Sequence, residues 1–182
     1  AGDSPSEELM SPPEKRTFVV HVEDQPGVLD RVASLFRRRT YNIESLNVGE
    51  THEPGISRMT IVCEANASVA RRIEANLYRL VNVLRVDDVT EVPRVDRNLA
   101  LIKVRAGAAE RPQVLQILAA VNARAVDLGP DSLVAETTGS QEEIERLVSV
   151  LAPFGILEMV QTGLVSMTRA AEKPRLSRGQ AA

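Results

Sequence analysis

The order of apolar patterns constrains this chain most, because one succession of strand and helix signals occurs twice. Strands are predicted where β-branched and aromatic residues run together or alternate with polar ones, and helices where apolar residues recur every three or four positions. In the first half the signals are strand 17–23, helix 28–36, strands 42–49 and 56–64 around a turn at 52–55, helix 69–80 and strand 83–92. The order β-α-β-β-α-β is that of the split ferredoxin-like unit.

The second half repeats this order more loosely. Its signals are a strand at 99–106, a helix opened by Pro112, a hairpin of 126–128 with 133–137, a helix after Ser140 and a strand at 156–167. Ser140 and Glu143 have the spacing of a helix capping box. The sequence therefore predicts an α+β fold of two tandem ferredoxin-like βαββαβ domains.

Composition shifts set the expected domain boundaries. Residues 1–15 and 171–182 are rich in Pro, Ser and charged residues, which predicts a disordered arm and a flexible tail. The domains are predicted at 16–92 and 98–170.

Composition also excludes several classes of function. A formal net charge of -3 and 3% aromatic residues argue against a nucleic-acid partner. No apolar run approaches the roughly 20 residues of a membrane-spanning helix, so no membrane partner is expected. A single cysteine and the lack of a secretory signal favour the cytoplasm.

The residues show no catalytic or metal-binding constellation. His21 and His52 lie in different predicted elements, and neither is spaced from Cys63 as zinc ligands are. No phosphate-binding glycine loop occurs, and no nucleophile has a recognisable base beside it. We therefore expect no catalytic residue, no metal and no cofactor in this chain.

One segment, 23–29 (EDQPGVL), suggests a binding site where the first strand meets the first helix. A helix N-terminus offers free N–H groups to a carboxylate, Gly27 permits close approach, and Asp24 could receive an ammonium group. Pro26 suits the first helical position. The alternative is that Asp24 or Gln25 simply caps the helix, and the residues alone favour it because capped turns are common.

Several motifs in the same order resemble a known family. The run from Val20 to Asn47 looks like an ACT domain, a small amino-acid-binding module. More specific motifs resemble the small regulatory subunit of acetohydroxyacid synthase (acetolactate synthase), and these are PGVL (26–29), YNIESL (41–46), SRMTI (57–61), LVNVLRV (80–86), LALIKV (99–104) and GLVSMTR (163–169).

The resemblance implies an N-terminal ACT domain, a C-terminal ACT-like domain, and homodimerisation through the ACT domain. It implies a non-catalytic regulatory subunit in branched-chain amino acid biosynthesis, which activates a separate catalytic subunit holding thiamine diphosphate, Mg²⁺ and FAD. Feedback inhibition by valine, or by leucine or isoleucine, is expected. The implied effector-binding positions, shared between two chains, are Asp24, Gly27, Val28, Leu29, Asn42 and Ile43.

Asp24 departs from this pattern, since some members have Asn there. Three other functions are alternatives to the regulatory subunit: a free-standing amino-acid sensor, an RNA-binding ferredoxin-like domain and a small enzyme. The sensor is the strongest of them. An RNA-binding sheet would need more exposed aromatic residues than Phe18 and Tyr41, and an enzyme would need a catalytic constellation.

Overall fold

The computed structural model describes residues 12–171. The strands are β1 (Glu14–Glu23), β2 (Ile43–Glu50), β3 (Ile56–Ala65), β4 (Val83–Asp88), β5 (Arg94–Arg105), β6 (Arg124–Leu128), β7 (Ser132–Gly139), β8 (Ile156–Gln161) and β9 (Val165–Thr168). The helices are α1 (Val28–Arg38), α2 (Ala67–Leu77), α3 (Arg111–Ala120) and α4 (Gln141–Leu151), followed by a 3-10 turn at Ala152–Phe154. In this part of the chain, no helix is long and apolar enough to cross a membrane.

The chain forms two compact units. Within the described residues, unit 1 consists of 12–95 and 166–171, and unit 2 is Asp96–Val165. Each unit has its own antiparallel sheet and its own core.

Unit 1 is a four-stranded sheet in the order β2-β3-β1-β4. Alternate residues of β1, such as Phe18, Val20 and Val22, are buried against the apolar faces of α1 and α2, as the period of two in a strand requires. The largest side chains in this core are Phe18, Phe36, Met59, Ile61, Ile73 and Leu77. Burying a side chain of this size stabilises a fold by about 1.5–3 kcal/mol.

Unit 2 has the strand order β6-β7-β5-β8. The predicted capping box is confirmed: the Glu143 N–H donates to Ser140 Oγ at 3.3 Å, and the Ser140 N–H donates to the Glu143 carboxylate at 2.7 Å. Both units have the predicted order of elements, so the α+β fold class with tandem ferredoxin-like units is confirmed.

Several predicted boundaries were wrong. β1 begins at Glu14, inside the predicted arm, and β5 begins at Arg94, so most of the predicted connection at 93–97 is strand. The first eleven residues and those from 172 onward, which include most of the predicted arm and tail, lie outside the described residues. Helix α2 ends at Leu77, before Leu80.

Local side-chain hydrogen bonds explain two shorter strands. β4 ends at Asp88, not Val92, because the Asp88 carboxylate accepts the Thr90 N–H at 3.0 Å and forms a turn. The predicted strand 156–167 divides into β8 and β9. Between them, Thr162 Oγ1 accepts the Leu99 N–H at 3.0 Å and replaces a backbone acceptor of the ladder.

Candidate functional site

The turn between β1 and α1 is held by backbone hydrogen bonds. The Asp24 N–H donates to the Gly55 carbonyl at 2.8 Å, and the Gln25 N–H donates to the Glu23 carbonyl at 3.0 Å. Gly27 is the N-cap residue of α1 with φ 82° and ψ -2°. Because this left-handed conformation cannot continue a right-handed helix, α1 begins at Val28, and the prediction that Pro26 occupies the first helical position was wrong.

Among residues 12–171, no side chain caps this helix. The alternative that Asp24 or Gln25 caps it was therefore wrong. The Val28 N–H donates to the Gln25 carbonyl at 3.3 Å, whereas the N–H groups of Gly27, Leu29 and Asp30 have no acceptor within residues 12–171. Free N–H groups and the positive end of the helix dipole together favour an anion here.

Space for a ligand exists beside Gly27. A Cβ atom built on this residue would meet no other heavy atom within 4 Å. An L-residue at this φ would be strained by about 1–2 kcal/mol. The glycine is therefore required for the turn and also leaves the amides open.

Asn82 supports the turn from behind, and its side chain is buried. Its Nδ2 donates to the Glu23 carboxylate at 2.7 Å and to Gln25 Oε1 at 3.4 Å, and its Oδ1 accepts from the Arg31 guanidinium. Its backbone carbonyl accepts the Glu23 N–H at 2.9 Å. One amide side chain thus fixes the end of β1, the turn and the first turn of α1.

Sequence reasoning did not assign Asn82 to the site. The available signal was an amide residue inside the apolar segment LVNVLRV (80–86), where burial would require hydrogen-bond partners.

The predicted residues near the turn have different roles. Asp24 is exposed, and its carboxylate has no hydrogen-bond or ion-pair partner among the described residues. The Val28 side chain is 4% exposed and belongs to the core, so only its backbone faces the turn. Leu29 is 45% exposed and borders the open amides.

Asn42 and Ile43 lie far from this turn in the same chain. Glu23 pairs with Ile56 at one end of β3, whereas Ile43 pairs with Cys63 near the other end. Along β3, Ile56 and Cys63 are separated by about 23 Å. Asn42 is exposed, and Ile43 is half-buried against the core. One chain therefore does not bring the two predicted groups together.

Cys63 is a buried free thiol of unit 1. Burial, with smaller contributions from Asp88 and Glu44, raises the pKa of Cys63 to about 11, so the thiolate is scarce at neutral pH. Within residues 12–171, no three His, Cys, Asp or Glu side chains are grouped as metal ligands would be.

A βαββαβ unit with an open, glycine-capped strand-to-helix turn, followed by a second unit of the same order, defines a tandem ACT-type protein. A family model described as the AHAS small subunit-like ACT domain matches residues 18–85. A second model, described as the small subunit of acetolactate synthase, matches residues 97–170.

Individual relatives agree with these matches. The acetolactate synthase small subunit of Mycobacterium bovis is 46% identical over 157 residues, which are 86% of this chain and 94% of the relative. That of Aquifex aeolicus is 44% identical, over 85% of this chain and 81% of the relative. The crystal structure of the Thermotoga maritima small subunit is similar with TM-score 0.80 and 32% identity, over 86% of this chain and 98% of that one. The chain belongs to the acetolactate synthase small-subunit family.

Proposed function

We propose that this chain is the regulatory subunit of an acetolactate synthase and that it inhibits the complex when valine, or another branched-chain amino acid, binds beside Gly27. The main support is the turn itself: three amides without acceptors among the described residues, a left-handed glycine and open space at one helix N-terminus. In this proposal the chain is not an enzyme. Thiamine diphosphate, Mg²⁺ and FAD belong to the catalytic partner, and the complex acts in the cytoplasm.

The chemistry of the turn suits a free amino acid. The carboxylate would accept from the open amides, and Asp24, which is exposed and unpaired within the described residues, would accept from the ammonium group. Leu29 offers an apolar surface to the effector side chain. Both charged ends of the amino acid then have partners, which a desolvated zwitterion requires.

A homodimer would complete the site. Asn42 and Ile43 lie at the opposite end of the sheet from Gly27, so they approach a turn only if a second copy supplies it. Twofold symmetry would form two equivalent sites, each with the turn of one chain and the Asn42 segment of the other. Effector binding is then coupled to the arrangement of subunits.

Regulation follows from unequal affinity for two states. An effector that prefers an inhibited arrangement of the dimer shifts the catalytic subunit toward it, with a coupling free energy of typically 1–3 kcal/mol. Docking without effector favours the active arrangement, which accounts for activation by the same subunit.

The decisive experiment measures acetolactate formation by the cognate catalytic subunit while this chain is titrated in and valine is then added. We expect stimulation followed by inhibition, with inhibition lost in Gly27→Asp and in Asn42→Ala. Gly155→Ala is the control, since Gly155 also has positive φ (92°) but lies in unit 2, and its N–H donates to the Ala152 carbonyl at 3.0 Å.

Other results identify other functions. Stimulation without any response to valine, leucine or isoleucine would retain the partner and reject the proposed effector. Absence of stimulation, with valine still raising the melting temperature of this chain, would indicate a free-standing sensor. No response in either assay would reject a regulatory role.

A further inference from the structure

An open cleft of about 350 Å³ lies in unit 1 where α1 and α2 end. Its lining is Leu35, Arg38, Arg39, Asn76, Arg79 and Leu80. The cleft is formed by the C-terminal ends of the helices, whereas the Gly27 turn precedes the N-terminal end of α1. An eleven-residue helix is about 16 Å long, so the cleft is distinct from the turn.

The cleft is strongly basic and its charges are not neutralised. Within residues 12–171, the guanidinium groups of Arg38, Arg39 and Arg79 form no ion pair and no hydrogen bond. The carbonyl ends of the two helices contribute about half a negative charge each, so they offset roughly one of the three positive charges. The helix dipoles therefore account for only part of the positive charge of the cleft, and the rest is not needed to stabilise the helices.

The form of the cleft indicates what kind of anion fits. All three arginine side chains are exposed, and none is fixed by a hydrogen bond. A tight small-molecule site holds its polar groups in place, whereas exposed arginines around an apolar floor are typical of protein interfaces. Here the floor is Leu35 and Leu80, and Asn76 provides a neutral amide.

We propose that this cleft docks an acidic segment of the catalytic subunit, with Asp or Glu carboxylates paired to the arginines and an apolar residue against the leucines. This inference rests on the proposed function, because it requires that partner. Arginine pairs carboxylates bidentately, so several such pairs fix the register of two subunits as well as attract them.

The test compares binding of the full-length chain to the purified catalytic subunit by biolayer interferometry, at low and at moderate ionic strength. Variants are Arg38→Glu, Arg79→Glu and the double variant. Arg39 is left unchanged because it lies three residues before Asn42. Arg146→Glu is the matched control, as an exposed helical arginine of unit 2 without an ion pair among the described residues.

We expect each single reversal to weaken binding about tenfold and the double reversal about a hundredfold, since a reversed charge replaces attraction by repulsion. The affinity of the unmodified chain should fall as salt rises, and that dependence should flatten in the double variant. Arg38→Gln and Arg79→Gln should weaken binding less than the reversals. All variants should keep the melting temperature and its increase with valine.

The test distinguishes failure of the docking proposal from failure of the proposed regulatory function. If the unmodified chain does not bind the catalytic subunit, the proposed function fails. If it binds and the reversals match Arg146→Glu, docking at this cleft is rejected while the regulatory function stands. If inorganic phosphate raises the melting temperature only when the arginines are present, and subunit binding is unchanged by the reversals, the cleft is a small-anion site and the docking proposal is overturned.

Discussion

The two units use the same strand-to-helix turn in opposite ways. In unit 1, the turn before α1 leaves three amides without acceptors in the part of the chain that the structure describes, and it holds Gly27 in a left-handed conformation. In unit 2, the turn before α3 is closed by Arg111, whose guanidinium donates to the carbonyls of Ala106, Gly129 and Pro130 at 2.9, 2.5 and 2.7 Å. The unit 1 turn thus presents outward N–H donors beside a glycine, whereas the carbonyls around the unit 2 turn are bound by an arginine side chain.

This difference shows how one fold can separate binding from stability. The Arg111 guanidinium satisfies carbonyls from two loops of unit 2, so those loops are fixed without an external ligand. In unit 1, Asn82 supports the turn from the interior, and the outward amides remain available. These contacts support the proposed binding role of unit 1 and indicate a structural role for Arg111 in unit 2.

Removing the arginine should have the largest effect on stability. Arg111→Ala is expected to lower the free energy of unfolding by about 2–3 kcal/mol, because hydrogen bonds from a charged group are worth about 1.5–3 kcal/mol and three carbonyls lose one donor together. Urea titration measures this. Arg146→Ala, an exposed helical arginine without an ion pair in the described chain, should change little. If Arg111→Ala lowered the affinity for valine as well as the free energy of unfolding, the division of roles between the units would be wrong.

A pair of glycine substitutions should distinguish the Gly27 turn from a left-handed glycine before β8 of unit 2 by ligand binding. Gly27→Ala and Gly155→Ala both place a Cβ at positive φ, 82° and 92°, and each should cost about 1–2 kcal/mol of stability. Only Gly27→Ala puts a methyl group beside free amides. Isothermal titration calorimetry should therefore show valine affinity reduced more than tenfold in Gly27→Ala and unchanged in Gly155→Ala. Equal affinities would show that the open amides do not hold the effector.

The order of helices and strands was predictable because it depends on the spacing of apolar residues and on turn residues. The Ser140–Glu143 capping box was predictable because both residues lie within one helical turn. The uncapped turn was not predictable, since the Gln25 side chain is within hydrogen-bond distance of Asn82, a residue distant in sequence, and does not cap the helix. The resemblance supplied Asp24, Gly27 and Asn42 as candidates. It did not supply Asn82, whose role arises from residues more than fifty positions away in sequence.

The C-terminal ends of α1 and α3 permit a finer comparison. Both helices end in a Schellman motif, with Thr40 and Asn122 in the left-handed region at φ 56°. Threonine is β-branched and is strained there, whereas asparagine tolerates the conformation. Thr40→Gly should therefore raise the free energy of unfolding by about 0.5–1 kcal/mol, and Asn122→Gly by a few tenths at most. Thermal unfolding measures both. Equal effects would mean that Thr40 is not strained.

The smallest expected effect is a pH dependence confined to unit 1, since unit 2 contains no histidine. His21 lies between Arg58 and Arg85 on neighbouring strands, and burial, then these two charges, lower its pKa, opposed by Asp87 and Glu53. With the folded pKa below the unfolded value of about 6.5, stability is complete above that pH and is lost as pH falls from there through the folded pKa.

His21→Gln should remove the loss of stability that His21 causes as the pH falls. His52→Gln, which replaces an exposed histidine, should not remove it. Because the His21 ring is only partly buried, solvent screening should keep the difference below that expected at Thr40. Urea titrations between pH 7.5 and about 5 compare the three proteins across the range in which an unperturbed histidine titrates. Parallel curves for the unmodified chain and His21→Gln would show that the ring titrates alike in the folded and unfolded states, and that the arginines beside it are too well solvated to act on its charge.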